Sequence, residues 1–135
     1  MSGLVIDASV AIKWVIEESG SAAAIQLVGS APLMAPDLIG AELTNVLWRH
    51  VAANRLGESA AQAAWQGCRA MLDRVYAHDE LSGPALRMAC ALGHPAYDCF
   101  YLALAEQLDC PMVTADRRFH DRVADSEWRH RVTAL

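Results

Sequence analysis

A chain of 135 residues, 54% of them hydrophobic, is long enough for one domain with its own core and too apolar to stay disordered. Its net charge of −5 argues against a surface built wholly for polyanions. Five of its arginines, at 117, 118, 122, 129 and 131, crowd the C-terminal end, where they make either a local basic patch or a solvated face. No apolar run approaches the roughly 20 residues of a bilayer span, and the start MSGLVIDASV has no basic segment ahead of a signal-type apolar run. The expectation is a single domain over 1–135, cytoplasmic and without membrane contact.

The run LVID is apolar and ends in an acid, the pattern of a short strand buried on both faces. A helix follows from Ser9 and continues through VAIKWVI. After the break EESG a second helix runs from about Ser21 to Val28, closed by Gly29. Leu33 to Ala35 reads as a strand stopped by Pro36, and a long helix then runs from Asp37 to about Asn54, with Leu38, Ile39, Leu43, Val46 and Leu47 on its apolar side. Ser59 and Gln62 stand at capping-box spacing and open a helix to about Asp73. RVYAH is a third strand. Gly83-Pro84 opens a helix to Leu92, ended by Gly93, and Pro95 opens another to Leu108. MVT is the fourth strand and RVTAL the last. Strands alternating with helices imply an α/β fold, a mostly parallel sheet of four to five strands flanked by helices.

The other chemistry-bearing residues give no motif. Cys68, Cys90, Cys99 and Cys110 form no C-x-x-C pair and read as reduced thiols packed as small hydrophobes. The five histidines show no metal spacing and read as surface or packing residues, with His120 the one considered for a substrate role. No phosphate-cradling glycine loop is present. A phospho-acceptor role for Asp7 in a receiver or haloacid-dehalogenase-type phosphatase needs a lysine at a later strand end, and the chain's lone lysine, Lys13, lies in the first helix.

Four acids remain. In a parallel sheet, ligands bind beyond the carboxyl ends of the strands where strand order reverses. Asp7 ends the first strand and Asp116 lies just past the fourth. Glu42 lies in the second turn of the helix leaving the second strand. Asp98 begins a helix joined to the fourth strand by a three-residue turn, so its N-terminus returns to the same edge. Each acid taken alone has an ordinary reading as a turn, cap or macrodipole residue. Together they repel: two carboxylates about 5 Å apart cost on the order of 3 kcal/mol at an effective dielectric near 20. A divalent cation removes that cost, and an oxygen-only donor set suits Mg²⁺ or Mn²⁺.

LVIDASV, APDLIGAELTNVLW, HPAYDCFYLALAEQL and MVTADRRF, in this order and spacing, resemble the four acidic motifs of PIN-domain ribonuclease toxins of the VapC type, from bacterial toxin–antitoxin pairs. The resemblance runs nearly end to end, though residues 58–94 match no motif. It implies metal-binding and catalytic roles for Asp7, Glu42, Asp98 and Asp116, with Ser9 and Thr114 as hydroxyl support. It also implies metal-assisted hydrolysis of RNA that leaves a 5′-phosphate, one ion activating a water and a second, if present, steadying the leaving oxygen. Arg117 and Arg118 flank the expected site as candidate phosphate contacts. The resemblance further implies a cognate antitoxin whose cationic side chain enters the acidic site. Apolar helices around Trp14, Trp48 and Trp65 point to a homodimer. Two alternatives stay open from the residues alone: a non-catalytic binding module on the same fold, and a DNA-directed nuclease using the same acids.

Overall fold

The computed structural model describes residues 3–135. Five strands, β1 (Leu4–Ile6), β2 (Leu33–Pro36), β3 (Arg74–Tyr76), β4 (Met112–Thr114) and β5 (Val132–Ala134), form one sheet in the order β3-β2-β1-β4-β5, and every pairing is parallel. The expected parallel character is therefore complete. Seven helices connect them among the described residues: α1 (Ala8–Ala11), α2 (Ser21–Leu27), α3 (Leu38–Ala52), α4 (Glu58–Met71), α5 (Ser82–Leu92), α6 (Ala96–Leu108) and α7 (Arg117–Ala124).

The chain leaves β1 toward β2 and β3, then crosses back to β4 and β5, so strand order reverses between β1 and β4. Right-handed crossovers send the connecting helices to opposite faces on either side of that point, which opens a crevice at the carboxyl edge. The central strands are apolar because both their faces are covered: Val5, Ile6 and Met112 are wholly buried. α6 packs on β1, β2 and β4 and also on α5. It accordingly buries Cys99, Tyr101, Leu102, Ala103, Leu104 and Ala105, which explains why its sequence shows no polar face over two turns. Left-handed residues end α5 and α6, Gly93 after α5 (φ +62°) and Asp109 after α6 (φ +51°), the latter a residue that tolerates this region better than most.

Several expectations are corrected. The helix expected from Ser9 through VAIKWVI stops at Ala11 and tightens into a 3-10 turn over Ile12–Trp14. The indole of Trp14 is drawn inward there, its Nε1 donating to the Ala24 carbonyl at 2.9 Å. The capping box is not formed. Gly57 is the N-cap residue of α4, and Ser59 lies one residue inside the helix. The third strand ends at Tyr76, since Asp37 takes the His78 backbone N–H at 3.0 Å and turns the chain away. Trp14 is buried and offers no outer surface, whereas Trp48 is 62% exposed. The C-terminal arginines are mostly structural. Arg122 donates to the Leu92 and Gly93 carbonyls, Arg129 to the Ser126 carbonyl, and Arg131 pairs with Glu106 and Asp109. All four cysteines are free thiols, but Cys90 is exposed and does not pack as a hydrophobe.

Candidate active site

At the carboxyl edge, a cavity of about 270 Å³ is lined by Asp7, Glu42, Asp98 and Asp116, together with Ser9, Asn45 and Arg49. The four acids come from the end of β1, the second turn of α3, the first turn of α6 and the loop after β4. The fold thus brings together residues up to 109 positions apart (116 − 7).

Local chemistry fixes each acid, and the ordinary roles turn out to be the positioning devices. Asp7 is the N-cap of α1, accepting from Val10 N at 3.2 Å. It also accepts from Ser9 Oγ at 2.6 Å and from Thr114 Oγ1. Those hydroxyls accept in turn from the backbone: Ala115 N donates to Ser9 Oγ at 2.9 Å, and Asp116 N to Thr114 Oγ1 at 3.0 Å. Two short relays therefore sew the end of β1 to the loop after β4. Asp116 caps α7, accepting from Phe119 N at 3.2 Å. Asp98 lies in the first turn of α6, where its charge complements the helix dipole, and His94 Nε2 reaches it at 2.7 Å. Glu42 accepts from the hydroxyl of Tyr101, a residue with no exposed surface.

Burial makes these charges costly. Desolvation pushes Asp7 up to about 7, against the two hydroxyl bonds that favour its ionised form, and the neighbouring charge of Asp98 adds to the rise. Glu42 is raised by burial and by Asp98, with Tyr101 opposing. Asp98 is raised by burial and by Asp116, with His94 opposing. Asp98 is thus the acid whose charge is felt by, or feels, each of the other three.

The donor set fits a hard divalent cation. It is all oxygen, and one oxygen each of Glu42, Asp98 and Asp116 has no hydrogen-bond partner among the described residues. As the side chains stand, no three of the described His, Cys, Asp and Glu groups close round a single point, although four of them share one cavity. The fit is therefore to an ion that keeps several waters and takes one or two carboxylates directly, as Mg²⁺ does.

Ser9 and Thr114 stand where the sequence places them, on Asp7. Arg117 and Arg118 are exposed at the start of α7 and do not line the cavity. Arg49 does, and sequence reasoning missed it, along with Asn45, Tyr101 and His94. The signal was present in part: Glu42, Asn45 and Arg49 follow helical spacing on one face of α3, and His94 lies four residues before Asp98. Tyr101 carried no such signal, being one apolar-looking residue in an apolar helix.

Comparison with known proteins gives a consistent result. Residues 4–125 match the family model of the PIN domain. Ribonuclease VapC3 of Pyrobaculum aerophilum is 31% identical over 124 residues, covering 88% of this chain and 93% of its own length. VapC ribonuclease Mb0985 of Mycobacterium bovis is 33% identical over 118 residues, covering 87% and 89%. The crystal structure of PAE2754 from Pyrobaculum aerophilum superposes with a TM-score of 0.70 over 90% of this chain and 79% of that one, at 23% identity, a likeness of fold.

Proposed function

The chain belongs to the PIN-domain family, and from that premise we propose that it is a divalent-metal-dependent endoribonuclease, the toxin of a toxin–antitoxin pair acting in the cytoplasm. The observation that carries this reading is the meeting of four carboxylates from four separate elements on one cavity at the strand-order reversal.

In this reading Mg²⁺ or Mn²⁺ is held among the unpartnered oxygens of Glu42, Asp98 and Asp116, one or two of them directly and the rest through water, and Asp7, held by Ser9 and Thr114, adds its charge to the same cavity. The bound cation supplies charge neutralisation and a lowered pKa for a water at the scissile phosphate. Asn45 and Arg49 share the cavity wall with the acids. Among the described residues Arg49 makes no ion pair, which leaves its guanidinium to take a substrate phosphate oxygen. Arg117 and Arg118, exposed on α7, serve the flanking backbone of a longer RNA.

An antitoxin segment with an Arg or Lys entering the acid cavity is the expected inhibitor, since opposite charges desolvated together are worth a few kcal/mol. A homodimer is the expected assembly, through apolar helix surface such as that around Trp48 and the half-buried Trp65.

Incubating the purified chain with RNA tests the reading. Cleavage should require Mg²⁺ or Mn²⁺, stop with EDTA, leave 5′-phosphate ends, and disappear in Asp98→Asn. RNA binding without any cleavage would favour a non-catalytic binding module, and cutting confined to DNA would favour the DNA-directed nuclease. Expressing the chain alone should arrest growth and Asp7→Asn should relieve the arrest. Equal toxicity of that variant would detach the arrest from this site.

A further inference from the structure

His94 lies outside α6, two residues before its first turn, on a connection that is unusually well held. Gly93 turns the chain at φ +62°, His94 N donates to the Ala89 carbonyl at 3.2 Å, and Arg122 of α7 donates to the Leu92 and Gly93 carbonyls at 3.1 and 3.2 Å. The imidazole is only 11% exposed. It leans on the wholly buried ring of Phe119, with centroids 4.9 Å apart and planes tilted by 47°. An ionised carboxylate only accepts, so the 2.7 Å contact to Asp98 Oδ2 is an N–H donation from Nε2.

We propose that His94 is a positioning residue. By holding Oδ2 it fixes the side-chain angles of Asp98, so that Oδ1 is presented to the cation, and in this way it sets the metal affinity of the whole acid cavity. The inference rests on the metal-site reading above and deepens it. Asp98 is the acid to hold, because its charge is coupled to all three others. Left free, it would relieve that repulsion by turning toward solvent, and metal binding would then have to bring it back. The geometry also joins the third acid to the fourth. Phe119, which supports the imidazole, donates its backbone N–H to Asp116. A surface ion pair at i, i+4 needs neither a shielded imidazole nor an aromatic wall behind it, and both are present here.

Three variants separate the donor from the ring. His94→Phe keeps an aromatic ring against Phe119 and removes the donor. His94→Gln places an amide N–H near the position of Nε2. His94→Asn is polar but too short to reach Oδ2. Binding of Mn²⁺ is followed by the electron paramagnetic resonance of the free ion at about pH 8, well above the ordinary carboxylate range, with unfolding midpoints recorded in parallel. His94→Phe and His94→Asn should weaken Mn²⁺ binding about 10- to 100-fold, the loss typical for removing a group that orients a metal ligand. His94→Gln should stay within about threefold of the wild type. Raising Mn²⁺ should restore cleavage by His94→Phe without changing KM for RNA. Wild-type affinity in His94→Phe overturns the inference, and with His94→Gln and His94→Asn weakened it would assign the effect to ring packing; equal weakening in all three variants overturns it too, since a donor returned near Nε2 would then restore nothing. Absence of Mn²⁺ binding by the wild type itself would instead overturn the metal-site reading, a result distinguishable from either.

Discussion

Two acids leave adjacent strands at the same edge of the sheet, and the fold treats them in opposite ways. Asp7 follows β1 and Asp37 follows β2, each directly before a helix. Asp7 is buried, pushed up to about 7, and surrounded by three further carboxylates on its cavity. Asp37 is half exposed, pairs with His78 from the end of β3, and is held below the usual carboxylate range by that partner. The difference follows from strand order. β1 and β4 flank the reversal, where the helices diverge and leave a crevice. β2 and β3 lie on one side of it, and their carboxyl ends are closed by a direct contact between neighbouring turns. An acid in the first place has no cationic partner among the described residues; in the second it already has a protein partner.

The largest effect should come from exchanging the two in a cleavage assay. Asp98→Asn or Asp7→Asn should lower RNA cleavage about a thousandfold, on the order of 4 kcal/mol of lost transition-state stabilisation. Asp37→Asn, which alters the same edge a few ångströms of sheet away, should stay within about twofold. A comparable loss in Asp37→Asn would mean that the β2–β3 end belongs to the site, and the contrast would fail.

Stability against pH should separate the two ends next. A carboxylate whose pKa is raised by folding binds its proton more tightly in the native state. The metal-free protein should therefore lose stability as pH climbs from about 4, where Asp7 would ionise in the unfolded chain, to about 7, where it ionises in the folded one, and should change little from this source above that. A rise of this size corresponds to about 4 kcal/mol, and water reaching the cavity should make the observed fall smaller than that. Urea unfolding in EDTA across this range, on the wild type and Asp7→Asn, measures it. The variant should show a visibly flatter profile. An unchanged slope would mean that Asp7 is not the titrating group.

Adding metal should then reverse that loss. At a hundredfold excess over its dissociation constant, Mg²⁺ or Mn²⁺ should raise unfolding free energy by about 2.7 kcal/mol. The gain should be greatest at the high-pH end, where the acids are ionised and uncompensated. It should vanish in Asp98→Asn and persist in Asp37→Asn. Equal stabilisation of all three proteins would indicate binding elsewhere.

Much of this architecture was legible in the sequence, for a physical reason. Short apolar strands between helices admit few arrangements, and an acid placed straight after a buried strand can only emerge at its carboxyl edge. Asp7 and Asp116 were located by that logic, and Glu42 and Asp98 by the direction of their helices. The groups that hold those acids were harder to see. Tyr101 looks like any core aromatic until the helix is placed on the sheet and its hydroxyl meets Glu42. His94 looks like a loop residue until Phe119, 25 positions later (119 − 94), closes behind it. Arg117 and Arg118 are next to Asp116 in sequence, yet the first turn of α7 carries them outward, while Arg49 reaches the cavity from another element. The capping box does not form because Gly57, with its extended backbone (φ −80°, ψ 160°), starts the helix without any side-chain cap and leaves Ser59 inside it.

The smallest effect concerns the closed end. Asp37 has a lowered pKa in the folded state, so its contribution has the opposite sign to that of Asp7. It is present above about pH 4 and is lost as pH falls through the folded pKa. Asp37 and His78 are each about half exposed, and solvent screens such a pair to a few tenths of a kcal/mol. Asp37→Asn should accordingly lower stability near pH 6 by roughly 0.5 kcal/mol or less and leave the profile between pH 4 and 7 almost as steep as in the wild type. The same substitution at Asp7 should flatten it. The two variants thus remove the same chemical group from corresponding positions on adjacent strands, and their pH profiles should differ in slope. Parallel profiles would show that burial at the strand-order reversal, the feature on which the site depends, does not distinguish the two acids.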